Sequence, residues 1–196
     1  APETEALRAA VLRGLVDSNE GVRFVATMSI GRDHLCGVSH LLQPMLQDES
    51  ASVRVAAIYS LTACGQEVDL NPLASAIFGD NAADRANAAL VLAELGNETA
   101  IPMIRQGMGQ DFKSYDPARS RTIDLLMAES VVRLGDRTEL EAIRAAMFAP
   151  PEHSEMTALA CQMLARLDDR VAIPNLVELA SGNGPRKAGP ELRLVA

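Results

Sequence analysis

Residues 84–108, D-R-A-N-A-A-L-V-L-A-E-L-G-N-E-T-A-I-P-M-I-R-Q-G-M, decide the fold of this 196-residue chain. Ala88, Leu92 and Leu95 recur at spacings of three and four, which puts them on one face of a helix. Gly96 stops that helix, because glycine takes the left-handed conformation of a helix C-terminus at little cost. Asn97 is placed to cap a second helix, and Pro102 falls early enough in it to lose little hydrogen bonding. Ile101, Ile104 and Met108 give this second helix its own apolar stripe. Two short amphipathic helices joined by a tight turn make an αα-hairpin.

The hairpin recurs. Val22, Ala26 and Ile30 align with Val53, Ala57 and Leu61, and these with Asp84, Ala88 and Leu92; Ile123, Met127 and Val131, then Met156, Ala160 and Leu164, continue the series. The positions expected to close the first helices are His34, Gly65, Gly96, Gly135 and Asp168. The second helices carry Val38, Leu42 and Leu46; Leu70, Leu73 and Ile77; Ile101, Ile104 and Met108; Ile143 and Met147; Ile173 and Leu176. The expectation is one repeat domain over 1–196 with helical pairs near 18–47, 49–79, 80–109, 117–148 and 153–181. A lone second helix at 3–16, stripe Leu7, Val11 and Leu15, precedes them. E-L-R-L-V-A at 191–196 matches the repeat opening S-V-R-V-A-A at 52–57, so the chain reads as a segment of a longer array.

G-N-E-T-A-I-P-M-I at 96–104, D-D-R-V-A-I-P-N-L at 168–176, V-R-x-x-A at 22–26 and V-R-V-A-A at 53–57 resemble HEAT repeats, most closely the short subtype named after phycobilisome lyase subunits. The resemblance implies an all-α, right-handed α-solenoid, with second helices lining the concave side. For function the resemblance is unspecific, since the family includes scaffolds, lyase subunits, a metal-dependent hydroxylase and DNA-repair enzymes; the expectation is a non-catalytic scaffold for protein partners, because stacked repeats offer a long surface and no catalytic constellation occurs, with a lyase-type enzyme subunit as the alternative. The iron-dependent hydroxylase built from HEAT repeats carries repeated His-Glu pairs, and no His-Glu dipeptide occurs here. His34, His40 and His153 are scattered.

Composition narrows the classes. Aromatic residues are 3% of the chain against 48% hydrophobic residues overall, a usage that suits close helix stacking rather than strands. The net charge of −8 opposes nucleic-acid and anionic-lipid partners. No apolar run is long enough for a membrane span. No phosphate loop, nucleophile elbow or metal-ligand spacing occurs, so no cofactor is expected. Cys36, Cys64 and Cys161 lack C-x-x-C spacing and are expected to be small buried hydrophobes, their odd number arguing against a disulfide framework. The compartment is cytoplasmic by default, with an exported form left open because the chain begins without Met.

Two surfaces stand out as candidates. The connections 109–121, 149–155 and 181–190 exceed the minimal repeat and project from one edge, forming a rim. They carry both lysines of the chain, Lys113 and Lys187, with Arg119, Arg121 and Arg186 and the aromatic residues Phe112 and Tyr115. Arginine beside aromatic residues is enriched at interface hot spots, and a basic rim on an acidic body would orient an acidic protein or peptide. The second candidate is the concave face, with His40, Gln43, Asn71, Ser75, Arg105, Gln106, Arg144 and Glu178 pointing to solvent. Asp17, Asp48 and Asp80, each followed by Arg23, Arg54 or Arg85, read as a structural ladder rather than a recognition stripe.

Overall fold

The computed structural model describes residues 2–109, 116–182 and 194, and these residues form helices and turns without strands. Ten α-helices follow one another among them: α1 (Pro2–Gly14), α2 (Glu20–Arg32), α3 (Ala51–Ala63), α4 (Asn71–Ile77), α5 (Ala82–Glu94), α6 (Ile101–Gly107), α7 (Pro117–Arg133), α8 (Leu140–Ala146), α9 (Ser154–Arg166) and α10 (Ile173–Ser181). They group into two compact units, Ala1–Gly107 and Met108–Ala196.

In the first unit, α1 packs on α2, α2 on α3 and α3 on α5, while α4 joins α3, α5 and α6. The first helices therefore stack in chain order, with the second segments alongside. Ala26, Ile30, Val38, Leu42 and Leu61 share one core with Val11 and Leu15 of the opening helix. Further along, Val53, Leu73, Ile77, Ala88 and Ile104 are fully or almost fully buried. In the second unit α7, α8 and α9 pack on one another, and Leu125, Val132, Ile143, Met147, Ala160 and Leu164 form the core.

All five closing positions carry the left-handed backbone expected of them, with φ of 52° at His34, 77° at Gly65, 69° at Gly96, 105° at Gly135 and 48° at Asp168. At four of them the following N–H reaches back to the carbonyl five residues earlier, as Leu35 does to Ile30 at 2.9 Å and Gln66 to Leu61 at 3.0 Å. This arrangement satisfies carbonyls that the last helical turn leaves open. Asn19 and Asn81 cap the starts of α2 and α5, each accepting two backbone N–H bonds.

The close crossing of α2 and α3 is made by small residues. A Cβ at Gly31 would stand 2.9 Å from the Ser60 Cα, so only glycine permits this approach of α2 to α3. In the gap the buried Ser60 hydroxyl donates to the Thr27 carbonyl at 2.6 Å and accepts from the Gly31 N–H at 3.1 Å.

Several expectations change. The second segment of the first pair is not an α-helix: Cys36–Leu42 and Pro44–Gln47 are 3₁₀ turns. Gly37 has a low helical propensity, and Pro44 cannot donate an N–H, so the tighter three-residue pattern prevails. Cys36 and Cys64 are half-buried and joined in a disulfide with a Cα–Cα distance of 5.4 Å, although their spacing had suggested two unpaired apolar residues. Cys161 is the buried free thiol. Leu7, Val22, Leu70 and Ile173, each the first residue of an apolar stripe by its spacing, are exposed. The 109–121 connection is shorter than expected, because α7 begins at Pro117, where Asp116 caps it by accepting the Arg119 N–H at 2.9 Å. The repeat opening expected at 191–196 lies outside the described residues apart from Leu194.

Candidate functional site

The arginine ladder is built from the turns between repeats. Arg23 donates from Nη1 to the Asp17 and Ser18 carbonyls at 3.0 and 3.1 Å, and Arg54 from Nη1 to the Asp48 and Glu49 carbonyls at 2.7 and 2.9 Å. Arg85 donates from Nε to the Gly79 carbonyl at 2.6 Å. Each arginine thus grips the turn six residues before it, which identifies Asp17, Asp48 and Gly79 as equivalent. Asp80, chosen for its charge, is one residue out of register. The aspartate carboxylates bond the chain ahead of them: Asp17 and Asp48 accept the N–H two residues on, of Asn19 and Ser50.

The next turn along completes two of the three rungs. Arg23 holds the Asp48 carboxylate with two parallel bonds of 2.9 Å, from Nε and Nη2, and Glu49 joins at 3.2 Å. Burial opposes the charge on Asp48, but the Arg23 guanidinium and the Ser50 N–H outweigh it and hold the carboxyl below its ordinary range. Arg85 reaches the Gly107 carbonyl at 3.1 Å from Nη1.

A similar clamp orders the second unit. Arg144 binds Asp169 through Nε and Nη2, both at 2.7 Å, and also meets Glu141. These bonds draw the buried Asp169 carboxyl below its usual range. Arg166 makes a forked pair with the buried Glu129 at 2.8 and 3.1 Å.

Of the residues expected to point to solvent from the second helices, His40, Gln43, Asn71, Ser75, Gln106 and Glu178 are exposed. Arg105 and Arg144 are half-buried instead, and the carboxylate of Asp169 accounts for Arg144. Gln43 bonds to Gln66, which also donates to Ser39, so this exposed patch is tied to the end of α3 beside the disulfide.

Among the rim residues, Phe112, Lys113, Tyr115, Arg186 and Lys187 lie outside the described residues. Arg119 and Arg121 are exposed on the first turns of α7. Two of the long connections do meet. Asp116 and Arg119 face Glu152, His153 and Glu155 across a groove of about 580 Å³. Its charge is mixed rather than basic. Arg121 borders a second groove of about 410 Å³ walled by Leu125, Ala128, Ala145 and Ala146, with His153 also on its border.

Burial pushes the Cys161 thiol up, away from the reactive thiolate. Among the described residues no three His, Cys, Asp or Glu side chains gather as a metal site. No helix among them is long and apolar enough to cross a membrane.

This helical stacking and ladder agree with what comparison finds. Residues 38–68 match the HEAT repeat family model. The match supports the HEAT-repeat family, and it begins on the 3₁₀ segment of one pair and runs through α3 of the next, with the Asp48–Arg54 turn at its centre. No curated protein matches the chain. HEAT repeats are helical modules often used for protein interaction.

Proposed function

We propose that this chain is a non-catalytic protein-interaction module of the HEAT type. The observation that carries the reading is the HEAT match within stacked helical pairs of the first unit whose inward residues, Leu42, Leu73 and Ile104, are buried while their polar neighbours His40, Ser75 and Gln106 stay exposed. Such a face offers a partner a series of polar contacts on a rigid support. The partner is a protein or peptide that sets acidic residues against Arg119 and Arg121, exposed at the edges of the two grooves of the second unit, and basic or polar groups against Asp116, Glu152 and Glu155, which line the Arg119 groove. The half-buried Cys36–Cys64 disulfide supports an oxidising compartment, where such bonds persist.

The test is partner capture with the native chain and with an Arg119→Glu, Arg121→Glu variant whose helicity is checked by circular dichroism. The proposal expects a captured protein that the variant releases. Tight DNA binding at physiological salt, a stoichiometric metal or a bound chromophore in the purified protein would replace it.

A further inference from the structure

The middle rung of the arginine ladder lacks the partner that its neighbours have. Arg23 and Arg85 each bridge their own turn to the next one, to the Asp48 carboxylate and the Gly107 carbonyl. Arg54 is anchored to its own turn through Nη1, but the residue equivalent to Asp48 is Gly79, which brings no side chain. Among the described residues Arg54 makes no hydrogen-bonded ion pair, the Asp48 carboxylate acting on it only through space, and the Nε–Nη2 edge that Arg23 uses is left without a described hydrogen-bond partner. Where the carboxylate would stand there is a groove of about 340 Å³ between the start of α3, helix α4 and the start of α5, lined by Arg54, Ser75, Gly79, Asp69, Asp80 and Asp84.

We propose that this groove binds a peptide segment of a protein partner that places one carboxylate side chain on Arg54 and adjacent basic side chains on Asp69, Asp80 and Asp84. The molecule supplies its own template: the forked Arg23–Asp48 pair shows the geometry in which the same guanidinium, held by the same two carbonyls, takes a carboxylate. The three aspartates exclude a purely acidic ligand, since a lone anion would meet more negative than positive charge. They favour an acidic residue flanked by lysine or arginine. In choosing a peptide the inference rests on the protein-binding reading above. The site itself is independent of Arg119 and Arg121.

The probe is the peptide acetyl-Gly-Lys-Glu-Lys-Gly-amide, titrated into the intact chain while the backbone amide resonances of Ser75 and Asp80, which line the groove and are kept in every variant, are followed by NMR. A saturable shift is expected, weakened about tenfold or more when Gln replaces the peptide's Glu or in Arg54→Gln, as for the loss of a charged hydrogen-bonded pair. Gly79→Asp restores the missing carboxylate from within. A Cβ there meets the Ser75 carbonyl at 3.3 Å and Ala76 at 3.5 Å, so the side chain fits after a small adjustment. This variant is expected to melt about 2–4 °C higher and to lose the peptide. No saturable shift, or equal binding by Arg54→Gln, overturns the ligand. A Gly79→Asp protein that melts no higher and still binds the peptide overturns the vacant rung itself, whatever the fate of the protein-binding reading; should that variant not fold, Arg54→Gln decides alone.

Discussion

The segment 36–47 and helix α6 occupy the same place in their repeats, yet they are held there by different means. In α6, Pro102 lies in the first turn, where its missing N–H costs nothing, and Ile104 is fully buried. In 36–47 the chain runs in 3₁₀ turns, and Leu42 is equally buried. A disulfide and the Gln66 side chain fasten this segment to the end of α3. The difference teaches that the repeat specifies where apolar side chains must arrive and leaves the local winding free. Where winding is weaker, cross-links take over.

The largest effect should be common to both regions. Leu42→Ala and Ile104→Ala each remove a fully buried side chain and should each cost about 2–5 kcal/mol in denaturant unfolding. A Leu42→Ala protein as stable as its parent would mean that 36–47 is not packed as α6 is. Next comes the disulfide. Its cysteines are 28 residues apart, and Cys36→Ser with Cys64→Ser should cost about 3–4 kcal/mol from the freed unfolded chain. Hydrogen exchange should then show protection falling across 36–47 before it falls across 101–107; equal loss in both would erase the contrast.

Acid should separate the two regions more gently. Arg23 holds Asp48, at the end of 36–47, whereas Arg85 holds a carbonyl that does not titrate at the end of α6. Because the folded Asp48 carboxyl lies below its unfolded value of about 3.9, the stability it adds is fully present above that pH and fades as pH falls through the lower folded value. Asp48→Asn should flatten this part of the acid-unfolding curve and leave the curve above about pH 5 parallel to the parent's. The smallest effect concerns the turns. His34 stands before 36–47 at φ 52° where Gly96 stands before α6 at 69°. His34→Gly should stabilise by about 1 kcal/mol, since a side chain in this backbone region is strained; a loss of stability would show that the imidazole contributes more than its backbone costs.

The register of the fold was legible because its signals are local. Leu92 and Leu61 sit on three-and-four spacings that only one helix face can bury, and Gly65, Gly96 and Gly135 mark turns that few other residues make. His34 and Asp168 were found by counting from those glycines, not from their own chemistry. What sequence did not carry was proximity across repeats. Nothing in the spacing of Cys36 and Cys64 says that folding brings their Cα atoms to 5.4 Å. The vacant rung at Arg54 was hidden by charge: Asp80 looked like the next member of the series, although a strict shift of 31 from Asp48 lands on Gly79. Arg144 was read as a solvent-facing residue because its partner, Asp169, comes from the following pair.

The hydroxyl of Ser60 also bears on how the stack keeps its phase. Apolar stripes of alanine and leucine repeat every three or four residues, so α3 could slide along α2 by one turn, about 5.4 Å, and still set apolar against apolar. Gly31 is the one notch on α2 that admits the α3 backbone, and Ser60 drops into it with two directed bonds. Slippage by a turn would strand a buried hydroxyl without partners and press a side chain into the place of the notch. The pair acts as an indexing pin: it adds little to cohesion and selects one alignment from several that greasy surfaces alone would accept.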